Sequence, residues 1–342
     1  MRSSQLFRFA FIALAITFLV SSCGEKKKVG PVVSGMDAEI LNLSDSTVKL
    51  SSVVPPLDRI KGKSPVFEMS VEVDSNGIFA KPIEVTDGYY VFEYDGNKVV
   101  YFIQVGKKLS LDFDATKPYE KPDYSGKLKY ESRYLYDRHL AQSNFIANKN
   151  KYFEYNEETF VEVVELMRGK MDTALVMYIS NHPTGSPEFM RQESLTNLYF
   201  MASFLEAYPM NSASDAELTT SYYVSDKGLN VNDSNAINNP EFYDYIENYV
   251  WRRAGLPSTK SNVIAQLEFE DEVFTVSDYK DYLRFKAAKE VALWESGEDR
   301  KMILDTLKSL IVDPEIKAFL IKNIKMDTAS IPMFENIIME EQ

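Results

Sequence analysis

Apolar and polar residues alternate with a period of two over much of the range Met36–Asp114, and this pattern predicts a module made of β-strands. Two runs rich in β-branched and aromatic residues, Tyr90–Tyr94 and Val99–Ile103, flank the segment Asp95-Gly96-Asn97. An Asp-Gly pair between two such runs is a strong signal for a tight turn. The pattern therefore predicts a β-hairpin here.

A further strand is predicted where Leu109, Leu111 and Phe113 alternate with polar residues, since this spacing buries one face and leaves the other in water. Asp74-Ser75-Asn76-Gly77 marks a second turn. Short strands separated by turns of this kind are typical of a small antiparallel β-sandwich or partly open barrel, which we assign to residues 36–120.

Helical spacing replaces the strand pattern after a proline-containing linker at about residues 117–125. Three segments share a capping residue, proline and glutamate, which is the signature of a helix start: Ser186-Pro187-Glu188, Asn239-Pro240-Glu241 and Asp313-Pro314-Glu315. One apolar stripe comprises Phe160, Val163, Val164, Met167, Met171, Ala174, Leu175 and Tyr178. The sequence predicts an all-α domain of about seven helices over residues 121–342, and hence an α+β fold.

The N-terminus has the layout of a bacterial lipoprotein signal. Arg2 and Arg8 accompany the apolar run Phe9–Val20, and small residues precede Cys23. The apolar run is shorter than the roughly 20 residues of a good membrane span, although a membrane helix with an incidental cysteine is the alternative. We expect residues 1–22 to be a signal peptide and Cys23 to be acylated, so that the protein binds the lipid bilayer.

Residues 23–35 lack periodicity and are interpreted as a lipidated, flexible tether. Lys26-Lys27-Lys28 lies beside the anchor, where it is either a solvated part of the tether or a group that attracts anionic headgroups. The tether lacks an acidic run of the kind associated with surface display. We therefore expect an outer membrane lipoprotein that faces the periplasm.

The charge balance restricts the partners of this chain. It has 51 acidic and 38 basic residues and a net charge of −13, so nucleic acid is a poor partner for most of its surface. Its single cysteine is the predicted lipidation site, which leaves no thiol for a disulfide or for redox exchange.

No catalytic constellation, metal site or cofactor site is predicted. The two histidines, His139 and His182, are far apart in sequence and lack metal-ligand spacing. His182, beside a proline, is interpreted as a residue at a helix C-terminus. The acidic run Glu268–Glu272 is interpreted as an exposed face around a buried Phe269.

Aromatic residues between positions 222 and 251 are the best candidates for binding a ligand. Tyr222, Tyr223, Tyr243 and Trp251 could form a platform for a glycan or a peptide, because such rings provide a large contact area at low entropy cost. Helical spacing of the neighbouring aromatic residues supports the alternative that they form a core stripe.

Three stretches resemble the N-terminal half of the thiol:disulfide interchange lipoproteins of Bacteroidetes. They are Asp74-Ser75-Asn76-Gly77-Ile78-Phe79, Gly88-Tyr89-Tyr90-Val91-Phe92 and Val105-Gly106-Lys107-Lys108-Leu109-Ser110-Leu111. In that family a thioredoxin-like domain with a Cys-x-x-Cys motif follows the helices. This chain contains no such motif, so the resemblance supplies no catalytic residue.

Two functions remain as hypotheses. The first is a non-catalytic, membrane-anchored envelope lipoprotein, in which the strand module and the helices bind a protein partner or form a homodimer. The second is a glycan- or peptide-binding lipoprotein that uses the aromatic residues of region 222–251. A hydrolase that depends on carboxylates is a weaker third hypothesis, because acidic pairs are expected by chance in so acidic a chain.

Overall fold

The computed structural model describes residues 34–74, 77–83, 85–118, 120–212, 218–219, 222 and 229–324. The predicted signal peptide, Cys23, most of the predicted tether and Tyr223 lie outside these residues. The described part confirms the predicted α+β class: strands come first, and helices follow.

Eight strands lie in the described part of the N-terminal module. Their bounds are β1 Ser34–Leu41, β2 Thr47–Ser52, β3 Glu68–Glu72, β4 Ile78–Ile83, β5 Gly88–Tyr94, β6 Asn97–Ile103, β7 Lys108–Asp114 and β8 Asp123–Gly126. They make two four-stranded sheets, in the orders β4-β1-β7-β8 and β3-β2-β5-β6. Strand β8 overlaps the segment at about residues 117–125 for which the sequence predicts a linker. The strand module therefore extends to Gly126.

Strand pairing is antiparallel throughout both sheets with one exception. Strand β1 runs parallel to β7, with Gly35 opposite Lys108 at one end and Leu41 opposite Asp114 at the other. The other pairs of neighbouring strands are antiparallel. A parallel pair requires a long crossover connection, which this chain supplies by building the second sheet between β1 and β7.

A single core lies between the two sheets. Met36, Ala38 and Ile40 of β1 face it together with Leu109 and Leu111 of β7, whereas the residues between them face outward. The second sheet contributes Val48, Leu50, Tyr90, Phe92, Tyr94, Tyr101 and Ile103. The module is therefore a sandwich, and the alternation predicted for β7 is confirmed.

The predicted hairpin is formed by β5 and β6. Tyr94 pairs with Asn97, so that only Asp95 and Gly96 form the turn. Both turn residues have positive φ, 44° and 76° respectively. A two-residue hairpin turn of type I′ requires this backbone conformation at both positions.

Replacing Gly96 by alanine tests this turn. A Cβ at Gly96 would meet no atom within 4 Å, so the left-handed backbone alone should lower the free energy of unfolding, by about 1–2 kcal/mol. Gly88→Ala is the matched control, since it also has open space and lacks a positive φ. Urea denaturation measures both variants, and equal stabilities would contradict the assignment of this turn.

Ten α-helices lie in the described residues. Their bounds are α1 Pro56–Ile60, α2 Lys129–Ala147, α3 Lys149–Phe153, α4 Glu157–Asn181, α5 Pro187–Asn211, α6 Pro240–Ala254, α7 Lys260–Val273, α8 Ser277–Ala292, α9 Glu298–Leu310 and α10 Pro314–Asn323. The sequence predicted about seven. The two helices of five residues, α1 and α3, are too short to show a period.

The three predicted helix starts are confirmed. Ser186, Asn239 and Asp313 are the N-caps of α5, α6 and α10, and each side chain accepts a hydrogen bond from a backbone amide in the first turn. Proline occupies the first helical position in all three helices, where its missing N–H group costs nothing. Local sequence therefore determines where these helices begin.

The apolar stripe of α4 is also confirmed. Phe160, Val164, Met171, Leu175 and Tyr178 are buried. The first three pack with the second half of α5, while Leu175 and Tyr178 join a smaller cluster beside the sandwich. None of the helices in the described ranges combines the length and the apolar character that a bilayer crossing requires.

Two contacts between the sandwich and the helices in the described residues position the site. Helix α1 lies in the connection between β2 and β3, and its Leu57 and Ile60 pack in the main helical core. Lys61 then forms an ion pair of 2.8 Å with Asp313 at the start of α10. At the second place Phe102 of β6 packs against Phe189 of α5, with ring centroids 5.0 Å apart. This second contact surrounds the polar cluster described next.

Candidate functional site at the junction of sandwich and helices

The predicted aromatic platform is not assembled from Tyr222 and Tyr243, because both rings are buried in the core. Tyr222 donates its hydroxyl hydrogen bond to the carbonyl oxygen of Leu205. Tyr243 donates to the carbonyl oxygen of Ile237 at 2.9 Å. The two rings belong to different hydrophobic clusters. Buried hydroxyls of this kind are tolerated because each has an acceptor.

Trp251 is half-buried on α6, and Tyr223 lies outside the described residues. Trp251 is therefore the single predicted ligand-binding residue that the described structure leaves partly exposed. His182 caps the C-terminus of α4, as predicted, and the centroid of its ring lies 3.6 Å from the centroid of the Tyr130 ring. In the described ranges no three residues among His, Cys, Asp and Glu form a group that could hold a metal ion.

The acidic run Glu268–Glu272 does not lie entirely on an exposed face, which corrects the prediction. Glu270 is buried in α7 on the same side as Val263 and Gln266, because residues three and four apart share one face of a helix. Its Oε2 lies 3.5 Å from Nε of Arg284. The prediction treated the run as an alternation, whereas the helical period selects one carboxylate for burial.

Burial raises the pKa of Glu270 to about 8, since the charge of Arg284 only partly offsets the desolvation of the carboxylate. Arg284 is itself shared, because its Nη2 donates to Asp271 at 2.9 Å and its Nη1 donates to the carbonyl oxygen of Leu310 at 2.7 Å. The protonated form of Glu270 is therefore favoured in the folded protein at neutral pH.

Stability should consequently fall with rising pH in a window set by Glu270. The folded protein holds this proton more tightly than the unfolded chain does. The stabilisation of the fold by protonated Glu270 is therefore complete below pH 4.5 and is lost as pH rises to about 8. The slope is at most about 1.4 kcal/mol per pH unit for one proton. Glu270→Gln should flatten this part of the stability curve in urea titrations, whereas the exposed control Glu268→Gln should retain it.

The strongest concentration of perturbed ionisable groups lies where β5, α2 and α5 meet. Glu193 of α5 is at its centre, and its side chain is only 1 % exposed. Tyr89 of β5 donates a hydrogen bond of 2.7 Å to Oε1 of Glu193. Nε of Arg138 in α2 lies 2.8 Å from Oε2 of the same carboxylate. We call Tyr89, Arg138 and Glu193 the junction cluster.

Burial governs the electrostatics of the junction cluster. Desolvation raises the pKa of Glu193, and the nearby guanidinium of Arg138 only partly opposes that rise. The pKa of the Tyr89 phenol lies well above its ordinary value, first because of burial and second because of the adjacent carboxyl group. The Arg138 side chain is 14 % exposed, so one end of the cluster approaches the surface.

Further buried polar groups extend the cluster between the helices. Tyr178 of α4 donates a hydrogen bond of 3.1 Å to Glu131 of α2. The hydroxyl group of Tyr134 in α2 donates a hydrogen bond of 3.4 Å to Oδ1 of Asn197, a residue of α5 with no exposed surface. These contacts tie α2, α4 and α5 to one another beneath the sandwich.

Sequence reasoning missed Glu193 and Arg138 because no motif contains them. One signal was available: Phe189, Glu193, Asn197 and Met201 follow one another at intervals of four on a single helix. A charged residue on a helical face that it shares with Phe189 and Met201 must find a partner, since an isolated buried charge is very costly. That pattern identifies Glu193, but it does not reveal that Arg138 and Tyr89 are its partners.

Access limits what the junction cluster can do. An acid of raised pKa beside an arginine and a tyrosine has the composition of a proton-transfer site. However, Glu193 is almost completely enclosed, and the two surface grooves found among the described residues are lined by other side chains. The geometry therefore supports a role in holding the sandwich against the helices.

One of those grooves lies between α2 and α4 and has a volume of about 440 Å³. We call it the α2–α4 groove, and its lining includes Leu140, Ala141, Asn144, Phe145, Met167 and Lys170. Leu140 is 43 % exposed, and the outer face of α4 carries Leu166 at 61 % and Met177 at 59 %. Exposed apolar side chains beside a groove are a feature of protein interaction surfaces.

The second groove lies on the outer face of the first sheet and is acidic. Glu39, Asp112 and Asp123 occupy adjacent positions on β1, β7 and β8. Like charges in direct register weaken strand pairing, and nothing among the described residues places a cation between them.

Comparison with protein-family models, curated proteins and solved structures finds no match to this chain.

Proposed function

We propose that this chain is a lipid-anchored protein of the bacterial cell envelope, whose sandwich and helices together form a recognition or assembly module. The observation that carries the proposal is Cys23, the single cysteine, at the end of a lipoprotein-type signal. The fold is consistent with this, because the Glu193–Arg138 pair at the junction is enclosed and Tyr89 of the sandwich donates a hydrogen bond to the same carboxylate.

The α2–α4 groove is the surface that we assign to a protein partner. It combines a lining of mixed apolar and polar side chains with exposed apolar residues on the neighbouring helix face. The glycan or peptide alternative loses support, since Tyr222 and Tyr243 are core residues. A relationship to the thiol:disulfide interchange lipoproteins remains part of the proposal and rests on the sequence stretches given above.

Cys23→Ser should move the protein from the membrane fraction to the soluble fraction. Serine cannot carry the thioether-linked lipid, and stable anchoring requires more than one acyl chain. The measurement is fractionation of cells together with incorporation of labelled palmitate. Ser22→Ala is the control, because a small residue still precedes the cysteine. A serine variant that stays in the membrane fraction and takes up label would contradict lipidation at this position.

The partner surface is tested with a photo-crosslinking residue at position 140 in intact cells. A crosslinked product of defined mass should form in the wild-type background and should disappear when Leu166→Lys is added. Val312→Lys is the control, since Val312 is 72 % exposed and lies between α9 and α10. The absence of any product, or a product that persists in the Leu166 variant, would argue against this groove.

A further inference from the structure

Strand β3 lies at an open edge of the second sheet and, among the described residues, pairs with β2 alone. The other three outer strands of the sandwich are protected. Helix α2 packs against β6 and β8, and β4 contains Pro82, which lacks a backbone N–H group. Strand β3 contains no proline, and the described helices make no comparable packing contact with it. This edge is therefore able to accept a further strand.

The backbone of β3 presents hydrogen-bonding groups at this edge. The amide of Val73 donates to the carbonyl oxygen of Ser46 at 2.9 Å, and the amide of Ser52 donates to the carbonyl oxygen of Phe67 at 2.8 Å. In an antiparallel pair, residues that bond to the neighbouring strand alternate with residues whose N–H and C=O groups point away from it. The groups that point away from β2 belong to Glu68, Ser70 and Glu72, which we call the β3 edge residues.

The side chains of β3 alternate between the core and the solvent. Met69 and Val71 are half-buried and pack against the sandwich core, as do Phe67 and Val73 on either side of them. The β3 edge residues are exposed. Since the half-buried side chains keep part of their apolar surface in water, apolar residues on an added strand would gain free energy by covering them.

Charge alternates across the outer face of this sheet. Lys98 of β6 lies opposite Glu93 of β5, and Glu93 lies opposite Lys49 of β2. Nζ of Lys49 is in turn 3.0 Å from Oε1 of Glu68 on β3. Opposite charges on neighbouring strands stabilise a sheet, whereas like charges destabilise it. Because the alternation ends on an acidic strand, the next strand should carry basic residues.

We propose that the edge of β3 binds an extended segment of a partner protein in which basic residues alternate with apolar ones. The backbone of that segment bonds to the β3 edge residues, as in other cases of strand addition. Its lysine or arginine side chains face Glu68 and Glu72, and its apolar side chains extend the row of Met69 and Val71. The proposal goes beyond the function proposed above, and it does not depend on Cys23 or on the α2–α4 groove.

A second copy of this chain is a poor occupant of the same edge. Antiparallel pairing of two β3 strands about Ser70 would set Glu68 of each copy opposite Glu72 of the other. Parallel pairing in register would set each glutamate beside its counterpart. Like charges at these positions oppose pairing, and charged side chains on an edge strand commonly prevent self-association. The edge residues therefore favour a basic segment over an identical one.

Synthetic peptides and the full-length lipidated protein in detergent test this proposal. The probe is a fluorescently labelled heptapeptide of alternating lysine and valine, and fluorescence anisotropy measures its binding. A heptapeptide of alternating glutamate and valine should not bind, because its charge matches that of the edge. The lysine–valine peptide with every amide N-methylated should not bind either, since it keeps the charge and the composition but has lost the backbone donors.

Variants of β3 test the two parts of the recognition. Glu68→Gln combined with Glu72→Gln should weaken binding about tenfold, because two cross-strand charge pairs are lost. Glu158→Gln combined with Glu162→Gln is the matched control, since it removes two exposed acids from α4, and it should bind as the wild type does. Ser70→Pro should abolish binding by removing the central donor, while the pairing with β2 persists because this N–H group points away from it.

Three results would each overturn the proposal. The first is failure of the lysine–valine peptide to bind the wild-type protein. The second is equal binding of the N-methylated peptide, or wild-type affinity in the double glutamine variant of β3. The third is a dimer in sedimentation analysis that Ser70→Pro dissociates, which would assign the edge to a second copy. Urea denaturation of Ser70→Pro confirms that it folds, and the double glutamine variant decides the question if it does not.

Discussion

Replacing Arg138 by methionine should lower the free energy of unfolding at pH 8 by about 3–5 kcal/mol, since removal of one partner leaves a buried charge uncompensated. The remaining carboxylate, Glu193, is 1 % exposed and keeps hydrogen bonds from tyrosine side chains, which carry no positive charge. Equilibrium denaturation in urea gives the value. Arg133→Met is the matched control on the same helix, because Arg133 is exposed and its loss should change stability by less than about 0.5 kcal/mol.

The loss should be smaller at pH 5 than at pH 8. Without Arg138 the pKa of Glu193 rises further, so the carboxyl group can take up a proton and become neutral as the pH falls. The double variant Arg138→Met, Glu193→Leu should regain much of the lost stability, as apolar replacements of buried ion pairs often do. A single variant that is as stable as the wild type at pH 8 would show that the pair contributes little to the fold.

Tyr243→Ala should also lower the free energy of unfolding by about 3–5 kcal/mol, because it removes a large ring from a packed core. Tyr243 is 1 % exposed, and its ring centroid lies 4.4 Å from that of Tyr282 and 5.9 Å from that of Tyr279. The variant also leaves the carbonyl oxygen of Ile237 without its donor, which adds to the cost.

Trp251→Ala provides the comparison on the same helix. Its half-buried ring should contribute only about 1–2 kcal/mol to stability, since part of its apolar surface stays in water in the folded state. Thermal and urea denaturation of both variants measure the difference. If Tyr243→Ala were the more stable of the two, the tyrosine would belong to a surface site and the core assignment would be wrong.

Local patterns predicted the local structure well. The Asp95-Gly96 turn, the three capped helix starts and the stripe of α4 depend on interactions among residues close in sequence, so they could be found without any knowledge of the fold. The short helices α1 and α3 and the edge strand β8 escaped detection. Each has at most five residues, too few to establish a period.

Local patterns did not predict which polar side chains are buried. Glu270 and Glu193 lie on buried helical faces, yet the sequence around either residue suits an exposed carboxylate equally well. The same holds for Tyr222, whose hydroxyl group finds its acceptor in a carbonyl oxygen of α5. In each case the partner lies on a different element of the fold, and a sequence pattern does not specify such a partner.

The amino-acid sequence by itself determined the α+β class, the order of strands before helices, the hairpin turn and the principal helix boundaries, because these follow from periodicity and from the conformations of single residues. Tertiary structure alone decided that β1 lies parallel to β7 and that Tyr222 and Tyr243 are core residues. It also decided that Tyr89, Arg138 and Glu193 meet. Contacts of this kind form when apolar surfaces from different elements are buried against one another. Which surfaces meet is decided only when the whole domain packs, because the residues involved belong to separate elements.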